Sequence, residues 1–255
     1  MTVNLVIKRY LRYTLQRRRA FFMWKMNIQD NIIYEDRDIL VCRKPAGLAV
    51  QSAGVGTMDM ESALKNYLAL KNPGETPWLG IIHRLDQPVE GVLVFALTQK
   101  AAAGLNRQME KKEIEKIYLA VTDRVPSPEN ATLEDWLKKD GRSNLSAVVK
   151  PETRGAKKAR LSYRVIRTLE DERTAGGLRC LTEIRLDTGR HHQIRVQMAH
   201  LGTPLLGDRK YYPGDNSGYS LGLCAYKLSF RHPASGKKME FSSDPSGNVF
   251  TGLVV

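Results

Sequence analysis

At 255 residues the chain can bury a substantial core as one large domain, and 42% hydrophobic with 26% charged residues is an ordinary globular composition, neither disordered nor membranous. A formal charge of +13 favours a polyanionic partner, nucleic acid ahead of an anionic membrane surface, and no apolar run approaches the roughly 20 residues of a spanning helix. Cys42, Cys180 and Cys224 form no CxxC pair, which argues against a disulfide framework or a zinc site and suits buried thiols in a reducing cytoplasm.

Residues 1–25 carry Lys8, Arg9, Arg12, Arg17, Arg18, Arg19 and Lys25 against no acid, and they lack the apolar core and cleavage site of a secretory signal. Three readings stand: a basic RNA-contacting arm, an amphipathic surface helix, or an upstream translation start with Met26 (or Met23) as the first residue. The last is preferred, because the segment from Met26 reads as a self-contained strand opening. From Ile32 to Val41 two short strands flank the acidic turn Tyr34-Glu-Asp-Arg-Asp38, and Lys44-Pro-Ala-Gly-Leu-Ala-Val50 reads as a turn into another strand. Met60, Leu64, Tyr67 and Leu68 recur at helical spacing over residues 59–70, and Lys71-Asn-Pro-Gly ends that helix.

Val92 to Leu97 is a continuous apolar run, the mark of a strand covered on both faces. Thr98 can cap a helix through residue 112, with Ala101, Leu105 and Met109 on its inner stripe. Residues 117–121 read as a strand, Pro126-Ser-Pro128 as a turn, and residues 138–158 as a basic, loop-rich stretch. Strand periodicity returns at Leu161, Tyr163 and Val165 and at Ile184 and Leu186. Asp187-Thr-Gly189 leads into a short helix carrying Ile194, Met198 and Leu201 and closed by Gly202, and residues 226–230 and 239–241 read as a hairpin. With no repeat and no linker, residues 26–250 read as one α+β domain.

The chemistry concentrates at Leu79-Gly-Ile-Ile-His-Arg-Leu-Asp-Gln-Pro-Val-Glu-Gly-Val. Asp86 is the best nucleophile or base candidate: it follows Arg84 at a turn that enters a buried strand, and a guanidinium at ion-pair distance would keep it ionised. An ordinary turn ion pair is the plain alternative. A second cluster, from Thr188 through Gly-Arg-His-His-Gln-Ile-Arg195 to Gly207, Asp208 and Tyr211, gathers Arg190, His191, His192, Gln193 and Arg195 behind a glycine turn and suits phosphate or base contacts. His192 and His200 lack the spacing and acids of a zinc site, so no metal is assigned.

Together these stretches resemble the RluA-type pseudouridine synthases, enzymes that isomerise uridine in ribosomal and transfer RNA. Lys44-Pro-Ala-Gly-Leu is similar to the family's opening motif, and His83-Arg-Leu-Asp86 with Gly91 to its catalytic motif. Lys116-Ile-Tyr118 is similar to its tyrosine motif, and Gly189 to Arg195 with Gly207-Asp208 to its arginine motif. The resemblance implies the pseudouridine synthase fold, a mixed and largely antiparallel sheet with flanking helices. It implies Asp86 as nucleophile on a flipped-out uridine, at the anomeric carbon or the base. Tyr118 would pack on the uracil or act as a base on the sugar, and Arg195 would pair with Asp86. Lys44, His83, Arg84, Arg190, His192 and Gln193 would contact RNA, Arg84 as a wedge filling the vacated stack. Lys111, Lys112, Lys157 and Lys158 would add nonspecific phosphate attraction, as would Lys44 and Arg190. No cofactor is implied, since breaking a glycosidic bond, turning the base and rejoining it through carbon needs none. The expected protein is a cytoplasmic monomer with ribosomal or transfer RNA as its partner.

The sequence departs from the family at Gln87-Pro-Val-Glu90, where a Thr-Ser pair is usual. Were Glu90 to face Asp86, one of the two carboxyls would be harder to ionise; facing solvent, it would change little. Two rival readings are a catalytically weak or inactive RNA-binding protein of the same fold, and a hydrolase using Asp86 and Glu90 as a carboxylate pair.

Overall fold

The apolar run after the catalytic motif forms the middle of the structure. In the computed structural model, which describes residues 27–52 and 57–254, this run lies in strand β4 (Glu90–Ala96), buried along its whole length. Leu93 and Phe95 point into one core, and Val92, Val94 and Ala96 into a second on the opposite face. Strand β2 (Ile39–Lys44) alternates in step, Leu40 and Cys42 against Ile39 and Val41. A strand covered on both faces has no polar side to offer, which is why both read as continuous apolar runs.

The eleven strands of the described residues form one mixed sheet. Its order runs from β1 (Ile32–Glu35) through β2, β4, β10 (Leu223–Arg231), β5 (Glu115–Thr122), β9 (Leu178–Leu186) and β8 (Lys157–Glu170) to β6 (Asn130–Asp140) and β7 (Leu145–Val149). Strand β3 (Gly80–Ile81) pairs with β4, and β11 (Lys238–Ser242) with β10. Every pairing is antiparallel except β4 with β10, at Cys224 opposite Glu90 and Ala225 opposite Gly91. There the backbones come so close that a Cβ on Gly91 would sit 2.3 Å from the Ala225 carbonyl oxygen, and Gly91 has a φ of 128°. Only glycine fits.

Helices α1 (Met60–Lys71) and α3 (Gln193–His200) cover one face, and α2 (Gln99–Glu110) covers the other together with the C-terminal residues Val249, Phe250 and Leu253. Asp59 caps α1 through the Ser62 N–H, and Thr98 caps α2 through the Ala101 N–H. Helix α3 is too short to stand alone; Ile194 and Met198 hold it, each buried apolar side chain stabilising the packing by about 1.5–3 kcal/mol. Gly202, at φ 87°, ends it.

Two expectations are corrected. Lys44 to Val50 turns but does not pair as a strand; Leu48 and Val50 instead drop into the core beneath the catalytic motif. Residues 138–158 hold the end of β6, all of β7 and the start of β8. The apolar face of β6 is Ala131, Leu133 and Leu137, broken by Asp135, which accepts from Gln197 of α3 at 2.7 Å. That interruption hides the period of two. The basic extension, residues 1–25, lies outside the described residues.

Candidate active site

The site sits where the turn before β4 meets the N-terminus of α3. Buried Leu85 and Val89 anchor the turn on either side, and Val89 N–H closes it onto the Asp86 carbonyl at 3.0 Å. A second turn braces it: Gly47 N–H donates to Gln87 O (2.8 Å) and Gln87 Nε2 to Gly47 O (3.0 Å). Beneath both lies Lys44, fully buried, its ammonium donating to the carbonyls of Pro45 (3.0 Å), Leu48 (2.7 Å) and Gln87 (3.0 Å). Burial brings its pKa down to about 7 against the opposing pull of Asp86 and Glu90. A buried ammonium is tolerable only with its donors satisfied, and here backbone carbonyls satisfy all three.

Asp86 is half-buried, its side chain 28% exposed, and Arg195 Nη1 reaches its Oδ2 at 3.2 Å. Arg195 itself cannot move. Its Nε and Nη2 each meet an oxygen of the fully buried Asp208 at 2.7 Å, and the Tyr211 ring lies 5.2 Å under the guanidinium carbon. Asp208 also receives the N–H groups of Lys210 and Tyr211. The fork thus commits two nitrogens to Asp208 and turns the third to Asp86.

His192 approaches the same oxygen, Nε2 to Asp86 Oδ2 at 3.4 Å. Its backbone is left-handed (φ 54°), an uncommon state that histidine tolerates better than most residues, and it brings the ring over the turn. Tyr211 Oη accepts the Ser146 N–H at 2.8 Å and meets His192 Nδ1 at 2.7 Å; with Nε2 turned to a carboxylate, which only accepts, the ring hydrogen belongs on Nε2 and the tyrosine donates to Nδ1. Burial brings the His192 pKa down to about 4, with Asp86 opposing and Arg195 assisting, so the ring is neutral at pH 7. Both approaching groups therefore converge on Oδ2. Among the described residues no donor lies on Oδ1, the oxygen left for chemistry.

Tyr118 lies on β5 on the face that carries this site. Burial, reinforced by the negative charge of Asp86, pushes its phenol well above the usual range, so it stays protonated. His83 is half-buried and accepts the Val94 N–H on Nε2 at 3.3 Å, between the points where β3 and β10 pair with β4. Burial, helped by the Lys116 charge, brings its pKa down to about 3, which keeps that nitrogen an acceptor.

Four residues read in the sequence as RNA contacts thus have side-chain partners within the protein: Lys44, His83, His192 and Gln193. Gln193 accepts from Thr188 and the Arg190 N–H and donates to Arg160 O, bracing the turn before α3. Arg84 and Arg190 are exposed at the rim, Arg190 donating to Lys158 O at 2.9 Å and Arg84 without a partner among the described residues. Arg195, not the neighbouring Arg84, supplies the guanidinium beside Asp86. Asp208 and Tyr211 were not singled out from sequence as site residues, although both close the second cluster; spacing does not say which cation a distant carboxylate meets.

Glu90 faces neither Asp86 nor solvent. It is buried and accepts from the N–H groups of Ser246 and Gly247 and the Ser246 hydroxyl, clasping the C-terminal segment to the start of β4. A carboxylate pair for hydrolysis is therefore not assembled. Among the described residues one group has the donor types of a metal site, Asp36, Asp38 and His232, beside a hollow of about 430 Å³. It is internally satisfied: His232 Nδ1 accepts two backbone N–H groups, and its Nε2–H meets Asp36 at 2.9 Å.

Residues 38–200 match the family model described as RNA pseudouridylate synthase. An uncharacterized RNA pseudouridine synthase of Bacillus subtilis is 32% identical over 217 residues, covering 84% of this chain and 68% of that protein. The ribosomal large subunit pseudouridine synthase D of Zymomonas mobilis is 34% identical over 226 residues, with the same coverage of 84% and 68%. In fold, the human RNA pseudouridylate synthase domain containing 4 superposes with a TM-score of 0.68 at 22% identity, over 86% of this chain and 90% of that one.

Proposed function

Because the chain belongs to the RNA pseudouridylate synthase family, isomerases acting on RNA, we propose that it converts uridine to pseudouridine with Asp86 as the nucleophile, and that its substrate is ribosomal RNA. The observation that carries the role of Asp86 is its asymmetric hold: Arg195 and His192 both meet Oδ2, and Oδ1 is open. A guanidinium fixes one carboxylate oxygen, and a neutral N–H beside it orients the group without adding a second cation. Attack by Oδ1 at the anomeric carbon, or at the uracil ring, leads to cleavage of the N1–C1′ bond; C5 then joins C1′ and gives up its proton to solvent, N1 takes one up, and Asp86 is released unchanged. No atom is gained and no electron is transferred overall.

Of the two roles open to Tyr118, packing against the flipped uracil is the one its environment supports. A phenol held protonated by burial and a nearby carboxylate is a poor base. Arg84, exposed at the tip of the motif, is positioned to fill the place the base vacates, and Arg190 with Lys157 and Lys158 to attract phosphates at the rim. The ribosomal assignment draws on the large-subunit synthases among the relatives, and it carries with it a cytoplasmic location; action as a monomer is a separate part of the proposal.

Pseudouridine mapping in total RNA from cells with and without the gene identifies the target. On a transcript carrying that uridine labelled with tritium at C5, the wild type should release tritium and Asp86→Asn should not. No site lost on deletion, together with no release by wild type from any cellular RNA while binding persists, would establish the inactive RNA-binding reading instead.

A further inference from the structure

Lys116 stands two residues before Tyr118 on β5, so the two side chains share one face of the strand, about 7 Å apart along it. Its side chain is half-buried, and burial lowers its pKa from the ordinary lysine value. Nothing neutralises it. Among the described residues no hydrogen bond or ion pair reaches its ammonium, and the nearby acids are taken, Glu115 by Arg185 at 2.8 Å and Asp187 by Arg160 at 3.3 Å. Lys116 also faces Gly189: a Cβ there would lie 3.6 Å from the Lys116 nitrogen, so the missing side chain leaves that side of the ammonium open. On the other side its charge acts on His83 of the catalytic motif.

The contrast with Lys44 defines the problem. Both ammonium groups are withdrawn from water, yet Lys44 has three carbonyls and Lys116 has none. A partly desolvated cation with no partner is costly unless a ligand supplies the counter-charge. A lysine ammonium is a compact charge with three rotatable donors, suited to a phosphate oxygen; the neutral carbonyls of uracil would leave its charge uncompensated.

We propose that Lys116 binds a backbone phosphate flanking the target uridine, so that Tyr118 and Lys116 hold the base and the phosphate of one flipped nucleotide. This rests on the assignment of the chain to uridine isomerisation. Gly189, with no side chain beside the ammonium, then leaves the phosphate room to approach it, and lysine and tyrosine on one strand face meet the phosphate and the base from the same side.

The test uses the transcript carrying the mapped uridine and the full-length protein in the Asp86→Asn background, which binds without turnover. Replacing Lys116 with Met should weaken binding about tenfold at low salt and reduce the slope of log affinity against log salt by about 0.7, one single-strand phosphate contact. Lys116→Arg should keep the slope. A methylphosphonate placed in turn at each phosphate flanking the uridine should weaken binding to the Lys116-containing protein at one of the two positions, and that loss should vanish with Lys116→Met. An unchanged slope, with both methylphosphonate losses fully retained in Lys116→Met, overturns the proposal. With Asp86 restored, wild type serves as the separate check: failure to form pseudouridine in the transcript sinks the isomerase reading, whereas turnover with retained losses sinks the phosphate contact alone. Thermal melting of Lys116→Met should match or exceed wild type, which separates a binding defect from a folding one.

Discussion

Two clusters in this molecule are built from the same parts, an aspartate, an arginine fork and a tyrosine ring beneath it, and only one of them leaves an atom unused. In the first, Arg195 binds Asp208 with two nitrogens and Asp86 with the third, over Tyr211. In the second, Asp171 is surrounded: Arg173 meets both its oxygens, Arg179 Nε lies 2.7 Å from Oδ2, and the Tyr219 hydroxyl donates to the same oxygen. Arg173 holds the Asp171 carboxyl far below the usual range. Arg179 also donates to the carbonyls of Val249 and Thr251, fastening the C-terminal segment. Residue types do not separate a reactive cluster from a structural one. The open Oδ1 of Asp86, against the saturated carboxylate of Asp171, does.

The largest effects come from the carboxylates themselves. Asp86→Asn should lower the rate of pseudouridine formation about 10⁴-fold or more, as loss of a nucleophile does, with RNA affinity near wild type. Asp171→Asn should leave the rate alone and lower the melting temperature by roughly 5–10 °C, since it unpairs the buried Arg179. Matching melting losses in the two variants would erase the distinction. One step down, Arg195→Lys cannot hold Asp208 bidentately and reach Asp86 as well, and the rate should fall about 10²–10³-fold in single-turnover assays. Arg179→Lys should again register in melting and not in rate.

This division was only partly legible in the chain. The central strand with two buried faces, the cap of α2, and the motif at Asp86 follow from local pattern: a continuous apolar run, Thr98 ahead of a helix, a charged turn beside a buried strand. Strand β6 did not, because Asp135 interrupts its apolar face to bond Gln197 across to α3. The orientation of Glu90 depends on Ser246 and Gly247, more than 150 residues away, and no local pattern encodes it. Lys44 illustrates the same limit: a lysine beside proline and glycine reads as a surface cation, and only the return of the Gln87 carbonyl from another loop turns it inward.

The tyrosines sharpen the comparison at smaller scale. Tyr211→Phe keeps the ring under Arg195 but removes the hydroxyl that fixes the His192 tautomer, so kcat should fall about tenfold with little change in KM. Tyr219→Phe removes one hydrogen bond to Asp171 and should cost about 2–4 °C of melting temperature at unchanged kcat. A Tyr211→Phe enzyme with full kcat would mean that the histidine needs no fixed tautomer.

The smallest effect is a difference in pH window. The His192 pKa falls from 6.5 to about 4 on folding, and that of His83 from 6.5 to about 3. Between those values the unfolded chain binds protons that the folded chain refuses, so stability is fully present above pH 6.5 and declines as pH falls toward 4, by at most ~1.4 kcal/mol per pH unit for each histidine. Asp171 has a lower window: its carboxyl is depressed by Arg173, so its contribution is complete above the ordinary aspartate range and is lost progressively as pH falls from there through the folded carboxyl's own, lower pKa. Urea unfolding midpoints followed from pH 7.5 to pH 2 should therefore decline in two stages. His192→Gln should flatten the upper stage and leave the lower one, and Asp171→Asn should do the reverse. If His192→Gln leaves the upper slope intact, the imidazole beside Asp86 is already protonated in the folded protein, and Asp86 is held between two cations, not between a cation and a neutral donor.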